Sequence, residues 1–417
     1  MKASSLLAGL LPHLIRNRMR PVTVAALLPV AVFLPLAALL PVLLLAMLPV
    51  SASGQNSGND PAKVRLSGAF RPVFYGVETR NRQGDSSTDY TLNARLQLRA
   101  EYDVSPEVTI RARLATRAST SQDNMEFVLE DHTPPDGSYP PGTVTFDEFA
   151  LSWRMRPDLT VTAGRFQARF GLAGIIPKGL DRYYGSNLSI GHTDGLWIRW
   201  DVHPRWRLHL VANHNGTQGS THAARRPLDF DEPVSRVGGL AVLEHREQDG
   251  LWVQREVGVS VLPASFERSG KTRSYAAATG RLMMRLPWQC RFFGYWIGGE
   301  AGYVPVAPTP VSAGMAVAES RTLIGPSALA WQVAAYANGL SGRHRFGVLY
   351  GQAEPQWLVS SSFRPNNTLS EIRYRFTFSS RLNFEARYRF RTDLFRPDGA
   401  EYTRQDRDFY ARFTWRF

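Results

Sequence analysis

From about residue 64 to the C-terminus, apolar and polar side chains alternate one for one in short runs. Between Leu92 and Tyr102 the apolar set is Leu92, Ala94, Leu96, Leu98, Ala100 and Tyr102, separated by Asn93, Arg95, Gln97, Arg99 and Glu101. The next run sets Val108, Ile110, Ala112 and Leu114 against Arg111, Arg113 and Arg117. Near the end, Leu382, Phe384, Ala386, Tyr388 and Phe390 alternate with Arg381, Asn383, Glu385, Arg387, Arg389 and Arg391. A period of two predicts strands with one apolar face. Sixteen such segments are readable, starting near residues 64, 90, 107, 143, 159, 195, 205, 236, 254, 273, 290, 327, 343, 370, 381 and 407.

The connections between them alternate in length. Long stretches at 78–89, 118–142, 170–194, 214–235, 263–272, 304–326, 352–369 and 393–406 alternate with short ones such as Asp103–Pro106, Arg156–Asp158, Asp201–Pro204, Leu286–Gln289 and Ser379–Ser380. A soluble sandwich has no reason for this rhythm, nor could it readily bury a face so rich in arginine. A membrane barrel satisfies both observations: its apolar face meets lipid, its polar face meets a water-filled lumen, and its loops are long on one side only. The pattern predicts an all-β fold, a transmembrane antiparallel β-barrel of about 16 strands over residues 64–417.

The first fifty residues obey another pattern. Lys2, Arg16, Arg18 and Arg20 precede an uncharged apolar run from Pro21 to Val50, followed by the small residues Ser51, Ala52, Ser53 and Gly54. This order predicts a cleaved signal peptide over 1–53, with 54–63 a short periplasmic lead-in. Met19 is an alternative start. A retained membrane helix is the competing reading, since the run is long enough to span. Pro29, Pro35, Pro41 and Pro49 make it a poor permanent helix.

Composition changes the picture in two respects. Of the 49 basic residues only Lys2, Lys63, Lys178 and Lys271 are lysines, and the net charge is +13. Such a charge ordinarily suggests nucleic acid, but an export signal argues against that partner. The single cysteine, Cys290, excludes an internal disulfide and reads as a small strand residue, so stability must come from the closed hydrogen-bonded barrel.

The last strand reads Asp408-Phe409-Tyr410-Ala411-Arg412-Phe413-Thr414-Trp415-Arg416-Phe417. Its terminal Phe417, with Trp415 and Phe413 at alternate positions, resembles the signal by which the barrel-assembly machinery receives bacterial outer-membrane proteins. With this ending the chain resembles the Gram-negative sixteen-strand porins over about 64–417. The most specific stretch is Thr162-Ala163-Gly164-Arg165-Phe166-Gln167-Ala168-Arg169-Phe170-Gly171, similar to both the general and the phosphate-selective porins. The resemblance implies a homotrimer in outer-membrane lipid and a loop, here about 171–194, that folds inward to narrow a passive diffusion channel for small hydrophilic solutes. General cation-preferring porins carry several acids on that loop. Here Arg165, Arg169, Lys178 and Arg182 face only Asp181 and Asp194.

The candidate constriction therefore comprises Arg95, Arg99, Arg111, Arg113, Arg117, Arg165, Arg169, Lys178, Asp181, Arg182, Tyr183 and Tyr184. Arg373, Arg375, Arg387, Arg389 and Arg412 are expected on the lumen wall. Guanidinium groups confined in a narrow aqueous pore concentrate anions and repel cations, so the expected solutes are small and anionic or polar. The competing reading pairs these arginines with Glu101, Asp147, Glu148, Glu371, Glu385 and Asp408, merely solvating the interior. Two further alternatives are a barrel plugged by the proline-rich loops 118–142 or 304–326, and a rim enzyme built on His192-Thr193-Asp194 or on His209 with His214. Neither histidine group has a nucleophile context, and no metal-ligand or cofactor motif is present, so no cofactor and no catalysis are expected.

Overall fold

In the computed structural model, residues 64–120, 128–129, 143–168, 170–180, 193–215, 236–245, 251–266, 272–289, 292–305, 328–339, 341–357, 359–360, 362–397 and 399–417 are described. They belong to one compact unit, Asp60–Phe417. The expected signal peptide, Cys290 and the proline-rich parts of 118–142 and 304–326 lie outside the described residues.

Sixteen long strands follow one another: β1 Val64–Arg80, β2 Ser86–Asp103, β3 Val108–Ser119, β4 Thr143–Arg156, β5 Leu159–Phe166, β6 Thr193–His203, β7 Trp206–Asn215 and β8 Arg236–His245. Then come β9 Trp252–Phe266, β10 Thr272–Gln289, β11 Phe293–Val304, β12 Ala328–Gly339, β13 His344–Ala353, β14 Asn367–Thr377, β15 Leu382–Asp393 and β16 Gln405–Arg416. A two-residue bridge, Val128–Leu129, lies parallel to the start of β4. No helix occurs among the described residues. Each strand pairs antiparallel with its neighbours in sequence, and β16 returns to β1, from Ala69 opposite Arg416 to Arg80 opposite Gln405. The last residue finishes the seam, since Phe417 and Gly68 exchange backbone hydrogen bonds of 2.8 and 3.1 Å. Closure leaves no strand edge, which is what a sheet needs in lipid.

The sixteen periodic segments all became strands. Differences fall at the ends. The first hairpin is tighter than its sequence suggests: β1 and β2 run on to Arg80 and Ser86, and Asn81 organises the turn by accepting from Gln83 N and Asp85 N. Alternation gives two faces. Leu98, Ile110, Leu151, Leu210, Val257, Leu282, Val333, Val348, Ile372, Tyr388 and Phe413 are exposed on the outer one. For a barrel in water this band would be untenable; in a bilayer it is the surface lipid covers. The fold is thus a transmembrane β-barrel.

Candidate functional site

The inner face falls into two halves of different chemistry. From β14 through β16 and on through β2 to β4 it is a wall of guanidinium and carboxylate groups. From β10 to β13 it presents a largely apolar patch, interrupted by the buried Arg281, Glu300 and Gln332, and it is covered.

The cover is the segment that leaves β5. Leu172, Ile175, Ile176 and Leu180 are buried in one cluster with Tyr275, Ala277, Met283, Ala330, Ala334, Tyr336 and Leu349, inward-facing residues of β10, β12 and β13. Polar bonds fix the segment's backbone along its length. Gln254 accepts from Ala173 N at 2.7 Å and donates to Gly171 O at 2.9 Å. Gln332 donates to Lys178 O at 3.0 Å, Leu180 N donates to Glu300 at 3.0 Å, and Ser360 Oγ donates to Gly179 O at 2.7 Å. Trp357, fully buried, donates its indole N–H to Leu180 O at 3.2 Å. Two inward-facing glycines make the fit possible. A Cβ at Gly347 would overlap Ile175, and one at Gly302 would overlap the Trp357 ring. Lys178 Nζ lies 3.0 Å from Glu371 on β14. The start of the segment is held by a second cluster, in which Phe166, Ala168 and Phe170 pack on Val211, Leu240 and Val242 beside Trp197.

The opposite wall is a network of ion pairs. Register places Arg99 across from Arg113, and Arg95 across from Arg117. Such like-charged neighbours need acids between them, and a bulge in β4 supplies these. Arg113 pairs with Glu148, yet Leu114 pairs with Phe146, so Asp147 is the extra residue. The bulge turns two consecutive acids to the same face while Phe146 and Phe149 both stay outside. Asp147, fully buried, accepts from Arg95 at 2.9 Å, Gln97 at 2.9 Å, Arg113 at 2.6 Å and Gln167 at 3.2 Å. Glu148 takes Arg99 at 2.6 Å and Arg113 at 3.3 Å. Arg111 lies 3.6 Å from Glu101. Alternation alone puts Asp147 and Glu148 on opposite faces; the sequence signal for the bulge is the Phe146-x-x-Phe149 spacing.

On β14 to β16, Glu385 binds Arg375 at 2.5 Å, Arg412 at 2.9 Å and Arg373 at 3.3 Å, and also accepts from the Tyr410 hydroxyl. Glu371 takes Arg373 at 2.5 Å, and Asp408 takes Arg389 at 2.5 Å together with Arg387. The Arg387 guanidinium also lies over the Tyr410 ring at 4.1 Å.

The structure thus gathers Arg95, Arg99, Arg111, Arg113 and Arg117 on one side of the inner face and Arg373, Arg375, Arg387, Arg389 and Arg412 beside them, with Lys178 reaching Glu371 from the inward segment. Arg165 stands apart. It is directly opposite Phe149 on β4 and Asp194 on β6, follows Gly164 with its positive φ, binds Asp194 at 2.8 Å and donates to Phe146 O at 3.1 Å. Arg169, Asp181, Arg182, Tyr183 and Tyr184 lie outside the described residues. Phe413 is outward-facing and half-exposed, and the Trp415 and Phe417 rings contact each other at 5.2 Å. His209 is a buried packing residue, edge-on to Phe170, accepting from Trp197 Nε1 at 3.3 Å and bonded to Glu244 at 3.0 Å. His192 and the side chain of His214 lie outside the described residues.

A closed sixteen-strand membrane barrel with the segment after β5 packed on its inner wall is a porin-type architecture. No family model matches the sequence, and no curated protein matches it. Solved structures do match. OprB of Pseudomonas putida, in its high-pH structure, superposes with a TM-score of 0.53 at 10% identity, covering 85% of this chain and 94% of that one. The anion-selective porin from Comamonas acidovorans gives 0.52 at 12% identity, covering 85% and 100%. The outer membrane channel DcaP of Acinetobacter baumannii gives 0.51 at 15% identity, covering 85% and 97%. The chain therefore has the fold of the Gram-negative outer-membrane porins.

Proposed function

We propose that the protein is an outer-membrane porin: a passive diffusion channel for small hydrophilic solutes, with a preference for anions. The observation that carries this reading is the imbalance of charge on the polar half of the inner wall. At the level of Lys178, four cations, Lys178, Arg373, Arg375 and Arg412, share two acids, Glu371 and Glu385. On β2 to β4, Arg95, Arg99, Arg111 and Arg113 are joined by Arg117 and face Glu101, Asp147 and Glu148. Pairing orders these groups; it does not neutralise them. In a lumen with low-dielectric walls the surplus raises the local anion concentration.

The inward segment from Gly171 to Leu180 supports a constriction role, because it is sewn to the wall it faces and leaves the arginine side for solute. Arg99, Arg111 and Arg375 keep side chains 33%, 32% and 26% exposed despite their ion pairs, and these are groups a passing ion would meet. We read the terminal Phe413, Trp415 and Phe417 as the handle for the barrel-assembly machinery, and a homotrimer as the assembled form. Charge reversal at Arg99 and Arg111 (R99E/R111E) tests the selectivity. Reversal potentials across a salt gradient should move toward cations, by tens of millivolts for a tenfold gradient. Unchanged reversal potentials would remove the arginine wall from the account. Arg113 is a poorer probe, since its two acids make its reversal a folding defect.

A further inference from the structure

The outer face of the barrel is not uniformly convex. Over β9 to β12 it is cut by an open groove of about 850 Å³, within the roughly 300–1,000 Å³ of small-molecule sites. Register builds the groove from neighbouring strands. One row across it runs Val257, Gly280, Ala301, Trp331, and the next runs Arg255, Leu282, Gly299, Val333. Val257, Leu282 and Val333 stand exposed as its walls. Its floor is Gly280, Gly299 and Ala301. The inward-facing glycines of β11 have occupants, Leu172 against Gly298 and Trp357 against Gly302. A Cβ at outward Gly280 would meet nothing within 4 Å. A glycine inside a strand weakens it and marks a place where something else comes close, and at Gly280 no described residue does.

One end of the groove carries a charge. Gln254 and Glu256 turn inward, to the segment after β5 and to Arg281, so Arg255 between them turns outward, across from Leu282. The other charged residues of the lining, Glu256, Arg281 and Glu300, belong to the lumen side, where Arg281 holds the two acids at 2.6 and 2.9 Å. Arg255 Nη2 donates to His245 Nδ1 at 2.6 Å. A ring nitrogen that accepts this bond is neutral, so the contact orients the guanidinium without cancelling its charge. His245 in turn meets the Trp206 ring edge to face at 4.6 Å. Trp206 opens β7 after a short turn, and His245 closes β8; short turns mark the periplasmic side, and tryptophans at strand ends sit at headgroup level.

We propose that this groove binds one anionic glycerophospholipid of the periplasmic leaflet, its phosphodiester at Arg255 beside Trp206 and one acyl chain lying over Gly280, Gly299 and Ala301. An arginine facing lipid is costly toward the bilayer centre and is stabilised where a lipid phosphate meets it. A headgroup that carries an amine suits the site less well, because among the described residues the acids of the lining face the lumen. The site requires the barrel to lie in a membrane and does not require the channel to conduct.

The test is native mass spectrometry of the full-length barrel, released from detergent after equilibration with dioleoyl phosphatidylglycerol or dioleoyl phosphatidylethanolamine. The parent should retain one phosphatidylglycerol per chain and hold it more tightly than phosphatidylethanolamine. R255Q removes the headgroup contact, and G280L fills the groove from its floor. Each should weaken phosphatidylglycerol roughly fivefold or more, while heat-modifiable gel mobility shows the barrel still closed. V348A, on the outer face beyond the groove, should leave the affinity unchanged. Absence of a retained phosphatidylglycerol in the parent, equal affinity in either R255Q or G280L, phosphatidylethanolamine held as tightly, or an equal loss in V348A would each overturn the proposal.

Discussion

Lys178 shows how much a single side chain can owe to its surroundings. It is not on a strand; the segment after β5 carries it to Glu371. Burial, aided by the positive charges of Arg373, Arg389 and Arg387, pushes its ammonium from 10.5 down to about 7, against the pull of Glu371. Between those values the unfolded chain holds a proton that the folded one has released, so this group's contribution to stability rises with pH across that window and is least below about 7. The same release removes one positive charge from the lumen. Anion preference should therefore decline as pH rises through roughly 6 to 8, and K178Q should show a flat profile there. A step of equal size in K178Q would refute the assignment. Asp147 is the acid counterpart. Its replacement by Asn withdraws the carboxylate from buried Arg95 and Arg113, which should cost about 3–5 kcal/mol in urea unfolding from lipid vesicles. A loss within experimental error would mean that Glu148 and Gln167 suffice. At this scale the sequence is informative about which residues face inward and weak about exceptions. Strict alternation puts Arg95, Arg99, Arg111 and Arg113 on one face, the face they share in the strand register. It cannot foresee that the bulge at Asp147 aims two acids at them, nor that Arg165 is taken up by Asp194 on β6.

The inward segment and the wall beneath it form one element-scale device. Leu172, Ile175, Ile176 and Leu180 are useful in a loop only if something apolar receives them, and Tyr275, Ala277, Met283, Ala330, Ala334, Tyr336 and Leu349 on β10, β12 and β13 do so. Replacing Gly347 by Val puts methyl groups where Ile175 sits. Overpacking of this kind costs roughly 1–3 kcal/mol, and here it should be relieved by the segment leaving the wall. The expected outcome is a barrel that still folds but shows altered and noisier single-channel conductance. Conductance identical to the parent would show that the segment is not the narrowing element. A trace of this device is visible in the sequence. Ala328–Gly339, with only Gln332 and Asn338 as polar residues, is apolar on both faces, and a strand of that kind must be covered on both. The pattern says that β12 is covered inside. It cannot say by what, because the partner is distant in sequence, 154 residues in the case of Gln332 and Lys178.

For the whole molecule, closure was the most legible property. Period-two runs, connections of alternating length and an aromatic C-terminal strand together leave few alternatives to an even barrel, and the pairing of β16 with β1 completes it. The lumen's charge was legible as a surplus of arginine. Its distribution was not, because ion pairing depends on register between strands, which no single segment reveals. The solute is a still longer-range property, set by the residual field of many paired groups and by the width left beside the inward segment.

The most direct test of the account is single-channel recording of the purified barrel in a planar bilayer under a salt gradient. A steady conductance with an anion-favouring reversal potential is the predicted result. A folded barrel that passes no current, or one whose reversal potential favours cations, would contradict it: the first denies the open lumen, the second the arginine wall.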